Sequence, residues 1–250
     1  MPDAPNTTLL STTPLSTEPL STAPLRPDAL AIPPQHVVIV DTGCANITSV
    51  YCALQRLGVD VVVSTDVAVI RAADKVVIPG VGTASQAMHN IHARGLYDTL
   101  RQLTQPTLGI CLGMQLMTSH SAEGHVACLE VIPGQVLPLD AQGLRLPHMG
   151  WNTLQLDAAQ HPILHGITSN DYVYFVHSFA VAPSAYTIAS CDYGSRFAAI
   201  IGADNYIGMQ FHPERSSQTG RRLLANFLRL SADQLRSYHR SKTADLETVA

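Results

Sequence analysis

The chain of 250 residues has no apolar run approaching the roughly 18 residues that a membrane-spanning helix requires, so no membrane helix is expected. It has no C-x-x-C pair. Its five cysteines, Cys44, Cys52, Cys111, Cys128 and Cys191, are odd in number and irregularly spaced, which argues against a disulfide framework and a zinc knuckle. A reducing cytoplasm fits that usage best. Charge is scarce, at 14% of residues, and neither sign dominates: 15 basic against 19 acidic residues give a net charge of −4. No basic patch marks a nucleic-acid surface. No basic stretch followed by an apolar core opens the chain, so no secretory leader is expected. What remains is 46% hydrophobic residues, enough to fill a core as one domain or two small ones.

Residues 1–35 differ from the rest. Eight of the 16 prolines lie there, and a five-residue unit repeats as Ser11-Thr12-Thr13-Pro14-Leu15, Ser16-Thr17-Glu18-Pro19-Leu20 and Ser21-Thr22-Ala23-Pro24-Leu25. The unit is too short and polar to bury a face, so a disordered, polyproline-leaning tail is expected. A cleaved transit peptide fits less well, because only Arg26 is basic, and a mis-assigned start codon is a third reading.

From His36 onward apolar runs of buried-strand type alternate with helical spacing. His36–Val40, Val61–Val63, Lys75–Ile78 and Thr107–Ile110 read as strands. Ile47, Val50, Tyr51, Leu54 and Leu57 mark a helix stopped by Gly58, and another helix is expected around Ala84–Leu103. The alternation predicts an open, mostly parallel α/β sheet flanked by helices, with ligands bound beyond the carboxyl ends of its strands. The loops after Val40, Ile78 and Ile110 then share one rim. From Val126 short β-like runs take over: Val126–Leu139, Leu144–Leu156, Asp171–Val181, Thr187–Asp192, Phe197–Ile201 and Tyr206–Phe211. These predict added antiparallel strands, the last two as a hairpin. A helix over Gly220–Leu230 closes the domain at 36–230, and residues 231–250 read as a polar tail that frays.

The chemistry centres on Gly109-Ile110-Cys111-Leu112-Gly113-Met114-Gln115. An apolar run enters a cysteine flanked by glycines two residues away on each side, and a helix-like segment follows. That is the pattern of a nucleophile elbow, a strained turn between strand and helix. The helix start behind the sulfur favours thiolate. A buried structural cysteine between two turn glycines is the plainer alternative. A cysteine nucleophile needs a base and a group to orient that base. His212 ends the run Ile207-Gly208-Met209-Gln210-Phe211 and precedes Pro213-Glu214, which sets a carboxylate within reach of the ring. Pro79-Gly80-Val81-Gly82 offers a glycine-rich loop whose backbone N–H groups can meet an oxyanion, alongside Leu112 N–H. An ordinary strand-to-helix turn is the plainer reading of that loop.

These residues, together with Asp41-Thr42-Gly43-Cys44-Ala45-Asn46, Pro147-His148-Met149-Gly150-Trp151-Asn152, Tyr174-Phe175-Val176-His177-Ser178 and Gln210-Phe211-His212-Pro213-Glu214-Arg215-Ser216, keep the order of one family. The chain resembles the triad glutamine amidotransferases, and within them the glutaminase subunits of imidazole glycerol phosphate synthase. Gly-Ile-Cys-Leu-Gly with His-Pro-Glu marks the superfamily; Met114 and the Pro147–Asn152 segment are specific to that subunit type.

The resemblance implies a flavodoxin-like class I amidotransferase fold and a set of roles. Cys111 resembles the nucleophile, His212 the general base and acid, and Glu214 the residue that orients it. Val81 and Leu112 resemble the oxyanion donors, Val81 after the Gly80–Val81 peptide turns over. Gln115, Glu123, His177 and Ser178 resemble residues that hold the substrate L-glutamine, although Ser121-Ala122-Glu123 departs from the family's serine-glutamate-glutamate. Thr48 and Ser217 also depart from common family residues. No metal or organic cofactor is called for. The implied partner is a (β/α)₈-barrel cyclase subunit in a heterodimer, met through the rim around Asn46, Trp151 and Asn152. The alternatives are the glutaminase subunit of another synthase (anthranilate, aminodeoxychorismate or pyridoxal phosphate) and a stand-alone cysteine hydrolase.

Overall fold

The computed structural model describes residues 32–43 and 47–239. The proline-rich repeats, Cys44 to Asn46 and the last eleven residues lie outside the described residues, and with them the expectations placed on the tail and on Asn46.

In chain order the elements are β1 (His36–Val40), α1 (Ile47–Gln55), β2 (Asp60–Ser64), α2 (Val67–Ala72), β3 (Lys75–Ile78), α3 (Ala84–Ala93), α4 (Tyr97–Arg101), β4 (Thr107–Ile110) and α5 (Leu112–Leu116). Then follow β5 (His120–Ser121), β6 (Val126–Ala127), β7 (Gln135–Pro138), β8 (His148–Thr153), β9 (Tyr172–His177), β10 (Phe179–Val181), β11 (Thr187–Tyr193), β12 (Ser195–Ala203), β13 (Tyr206–Met209) and α6 (Ser217–Arg229).

Seven strands form the main sheet in the order β11-β12-β13-β4-β3-β1-β2. From β2 to β13 every pairing is parallel, and β12 and β11 extend that edge antiparallel. Strands buried on both faces carry continuous apolar runs, and here alternate residues enter opposite cores. Val37 and Ile39 face one cluster with α1 and α6, whereas Val38 and Val40 face the other with α3 and α5. A four-stranded sheet, β10-β7-β5-β6, and the β8-β9 hairpin sit apart from the main sheet.

The structure departs from the sequence-based expectations at local breaks. The helix expected over Ala84–Leu103 is two, parted at Gly95, whose φ of +67° belongs to the left-handed region that ends helices. Of the run Val126–Leu139 only β6 and β7 are strand. Asp66, whose side chain accepts from Ala68 N and Val69 N, caps an unexpected short α2. Residues 232–239 of the stretch expected to fray are helical instead, and Leu235 is fully buried among the α6 side of the core. Leu235 and Tyr238 pack on the core and Arg236 donates to Thr104 O, contacts that an average over a polar segment hides.

Candidate active site

Three neighbouring parallel strands, β3, β4 and β13, end at the same edge of the sheet. In β13 Met209 pairs with Ile110 of β4, and in β3 Ile78 pairs with Gly109. One residue further on, Cys111 N donates to Met209 O at 2.7 Å, so Cys111 and Gln210 emerge side by side. This register, rather than proximity in sequence, brings the residue-111 and residue-212 segments together.

Cys111 has φ 53° and ψ −109°, a sparsely populated conformation for a residue with a side chain, which costs on the order of 1–3 kcal/mol. The flanking glycines are fixed by close approach. A Cβ on Gly113 would stand 1.8 Å from Ile78 O, and one on Gly109 2.6 Å from Gly113 O. A Cβ on Gly80 would meet Gly113 N at 2.8 Å. The β3 loop, the β4 end and the start of α5 are thus in backbone contact, which sets Gly80 and Val81 beside Cys111. The helix behind the sulfur, α5, is five residues long, a short segment as expected, and its N-terminal N–H groups start at Leu112.

His212 follows β13, and its Nδ1 lies 2.9 Å from Glu214 Oε1. Pro213 opens a single 3₁₀ turn that swings Glu214 back under the ring. Burial disfavours the imidazolium, but hydrogen bonds to Cys111 and Glu214 and their negative charge outweigh it and hold the His212 pKa well above the ordinary value. The buried Glu214 carboxylate is 3% exposed, which leaves its charge little screened.

Val81, Gly82, Cys111, Leu112, Gln115, Glu123, Pro147, His177, Ser178 and His212 border one cavity of about 290 Å³. That lies at the small end of ligand pockets, roughly 300–1,000 Å³, and suits a molecule of amino-acid size. A smaller cavity of about 150 Å³ adjoins it along Pro79, Gly80, Val81, Val176, His212 and Glu214. Every residue expected at the site therefore lines one of two contiguous spaces. Glu123 has a second engagement there: its Oε2 accepts from Ala84 N at the start of α3.

His148 escaped the sequence reading as a site residue. Its Nδ1 lies 3.1 Å from His177 Nε2, and His177 Nδ1 lies 2.9 Å from Phe179 O. A carbonyl only accepts, so His177 donates from Nδ1 to Phe179 O, and its Nε2 accepts a hydrogen bond from His148 Nδ1–H. Burial pushes both rings down, His148 to about 4 and His177 to about 3. Only the motif Pro147-His148 hinted at it; the pairing itself comes from the β8-β9 register, where His148 faces His177. Among the described residues no group of three or more His, Cys, Asp or Glu side chains gathers as metal ligands do.

A strand–cysteine–helix turn beside a His–Glu pair, at the carboxyl edge of a parallel sheet, is the arrangement of cysteine-dependent amidotransferases. The family model "Glutamine amidotransferase class-I" matches residues 38–230, and the chain belongs to that family. The fold is also that of a solved glutamine amidotransferase, at TM-score 0.61 and 18% identity, covering 76% of this chain and 96% of that one. Within the family the chain belongs with the proteins named "Imidazole glycerol phosphate synthase subunit HisH". It is 54% identical to the one from Colwellia psychrerythraea over 213 residues, 79% of this chain and 94% of that one. It is 59% identical to the one from Idiomarina loihiensis over 196 residues, 78% of this chain and 98% of that one.

Proposed function

We propose that the chain hydrolyses glutamine through a cysteinyl thioester at Cys111 and hands the ammonia to a cyclase partner. The observation that carries this reading is Cys111 held at positive φ beside His212, whose far nitrogen is bonded to Glu214. His212 takes the thiol proton, and the sulfur attacks the side-chain amide carbon. The oxyanion is met by Leu112 N–H and, after the Gly80–Val81 peptide turns over, by Val81 N–H. His212⁺ protonates the departing nitrogen, ammonia leaves, and a γ-glutamyl thioester remains. Water gives a proton to His212, attacks the thioester, and glutamate leaves as sulfur recovers its electron pair. Gln115, Glu123, His177 and Ser178 hold the glutamine.

The relatives are named as subunits, which supports a partner that uses the ammonia. The proposed partner is a (β/α)₈-barrel cyclase in a cytoplasmic heterodimer, making imidazole glycerol phosphate and aminoimidazole carboxamide ribonucleotide for histidine biosynthesis. Its docking surface includes Trp151, half exposed on β8, with Met149 beside it and Asn152 one residue on. No described helix is long and apolar enough to cross a membrane. Gly82, at φ +95°, gives the oxyanion loop freedom to rearrange, so glutaminase activity is expected to rise when the cyclase binds its nucleotide.

The test is Cys111→Ala with the cyclase present. Product is expected from added ammonium salts and not from glutamine. Activity with both nitrogen sources would show that Cys111 is not the nucleophile; loss of both would show damage beyond the amide chemistry.

A further inference from the structure

Gln210 is fully buried and has no part in the mechanism above. Its Nε2 lies 3.8 Å from Cys111 Sγ, and its Oε1 lies 3.1 Å from Gln115 Nε2. Which end of an amide faces sulfur is decided by its neighbours. Phe179 O only accepts, and it lies 3.0 Å from the outer end of the Gln115 amide. That end is therefore the NH₂ group. Its second hydrogen points at Gln210, which must answer with its oxygen. The remaining end of Gln210, the NH₂ group, faces Cys111. The same Phe179 O also accepts from His177 Nδ1, so both lone pairs of the carbonyl are engaged and the orientation is pinned from two sides.

We propose that Gln210 is a positioning residue for the nucleophile, its amide N–H group aiming the Cys111 sulfur and favouring the thiolate. This rests on the reading of Cys111 as nucleophile. A hydrogen-bond donor stabilises an anion more than its neutral acid. Val176 O lies 3.7 Å from the same sulfur and, as an acceptor, favours the thiol. Gln210 is the counterweight to it. The titratable groups around the sulfur are His212, with Glu214 behind it, and across the cavity Glu123 and His177. The donor acts twice in a turnover. It favours the attacking thiolate, and it favours the leaving thiolate when the second tetrahedral intermediate breaks its C–S bond and the electron pair returns to sulfur. Gln115, which holds Gln210, also lines the cavity, so the positioning residue is tied to the wall of the site.

The test is the pH dependence of Cys111 alkylation by iodoacetamide in the full chain, with the alkylated residue identified by mass spectrometry. Gln210→Leu removes the donor. Gln210→Glu keeps the acceptor for Gln115 and replaces the donor with negative charge. The midpoint is expected to rise by about one pH unit in Gln210→Leu and further in Gln210→Glu. With the cyclase present, kcat for glutamine is expected to fall about tenfold or more while ammonium-driven turnover is kept. In the unsubstituted chain the Gln210 side-chain amide resonances are expected to move with the same midpoint, a readout that needs no variant. Alkylation profiles that superimpose on the unsubstituted chain, or amide resonances blind to the sulfur's titration, overturn the role of Gln210 even if activity falls. Glutaminase inactivation with Cys111 unlabelled overturns the nucleophile reading instead.

Discussion

Lowering the pH from 7 to 5 is expected to destabilise the fold through two histidines. His148 and His177 are 2% and 6% exposed and sit in an aromatic box, with His148 stacked 3.9 Å from Tyr193 and 4.8 Å from Phe175. Each folded-state pKa is depressed, to about 4 and about 3. The unfolded chain therefore takes up protons first as pH falls below about 6.5. Stability carried by these rings is complete above that value and is lost as the pH falls toward 4 and 3. At pH 5, about 1.5 units below the free value, each ring accounts for about 2 kcal/mol, or about 4 kcal/mol together. His212 acts in the opposite sense. Its folded pKa is raised, so its contribution is complete below about 6.5 and lost at higher pH, and it returns less than about 1 kcal/mol over the same interval. The expected net loss is about 3 kcal/mol, a large share of a typical domain's 5–15 kcal/mol. Urea unfolding at a series of pH values measures it, and His148→Phe, which keeps an aromatic ring in the stack, is expected to halve the slope between pH 6 and 5. A stability unchanged between pH 7 and 5, or a slope indifferent to His148→Phe, refutes the neutral buried pair.

Other outcomes follow from the site. Glu214→Gln removes the charge that holds the His212 pKa up, so the alkaline limb of the glutaminase pH–rate profile moves to lower pH and kcat falls on the order of a hundredfold or more. Gly113→Ala would drive a Cβ to 1.8 Å from Ile78 O, and a loss beyond about 4 kcal/mol in urea unfolding, or no folded protein, is expected. Glu123→Ala raises KM for glutamine in steady-state assays and frees the α3 start that its carboxylate now meets. Leu235→Ala costs about 2–5 kcal/mol by the same unfolding assay, because a fully buried leucine in a docked turn leaves a cavity.

The sequence by itself determined the elements that periodicity can carry. Apolar runs such as Val37 to Val40 announce strands buried on both faces, and the spacing of glycines about Cys111 announces a turn that tolerates no bulk. His212, Pro213 and Glu214 are so close in sequence that one 3₁₀ turn suffices to pair ring and carboxylate. Short-range features of this kind follow from backbone sterics and need no knowledge of the rest of the chain. Tertiary structure decided what depends on register. That Gln210 lies against Cys111, and that His148 meets His177, follows from which residues face each other across β4-β13 and β8-β9. A slip of one residue in either pair would turn those side chains to the opposite face, and a linear sequence does not encode that choice locally. The docking of Leu235 was settled in the same way, by what that segment packs against once the sheet exists; the break at Gly95 is local, a left-handed glycine ending a helix.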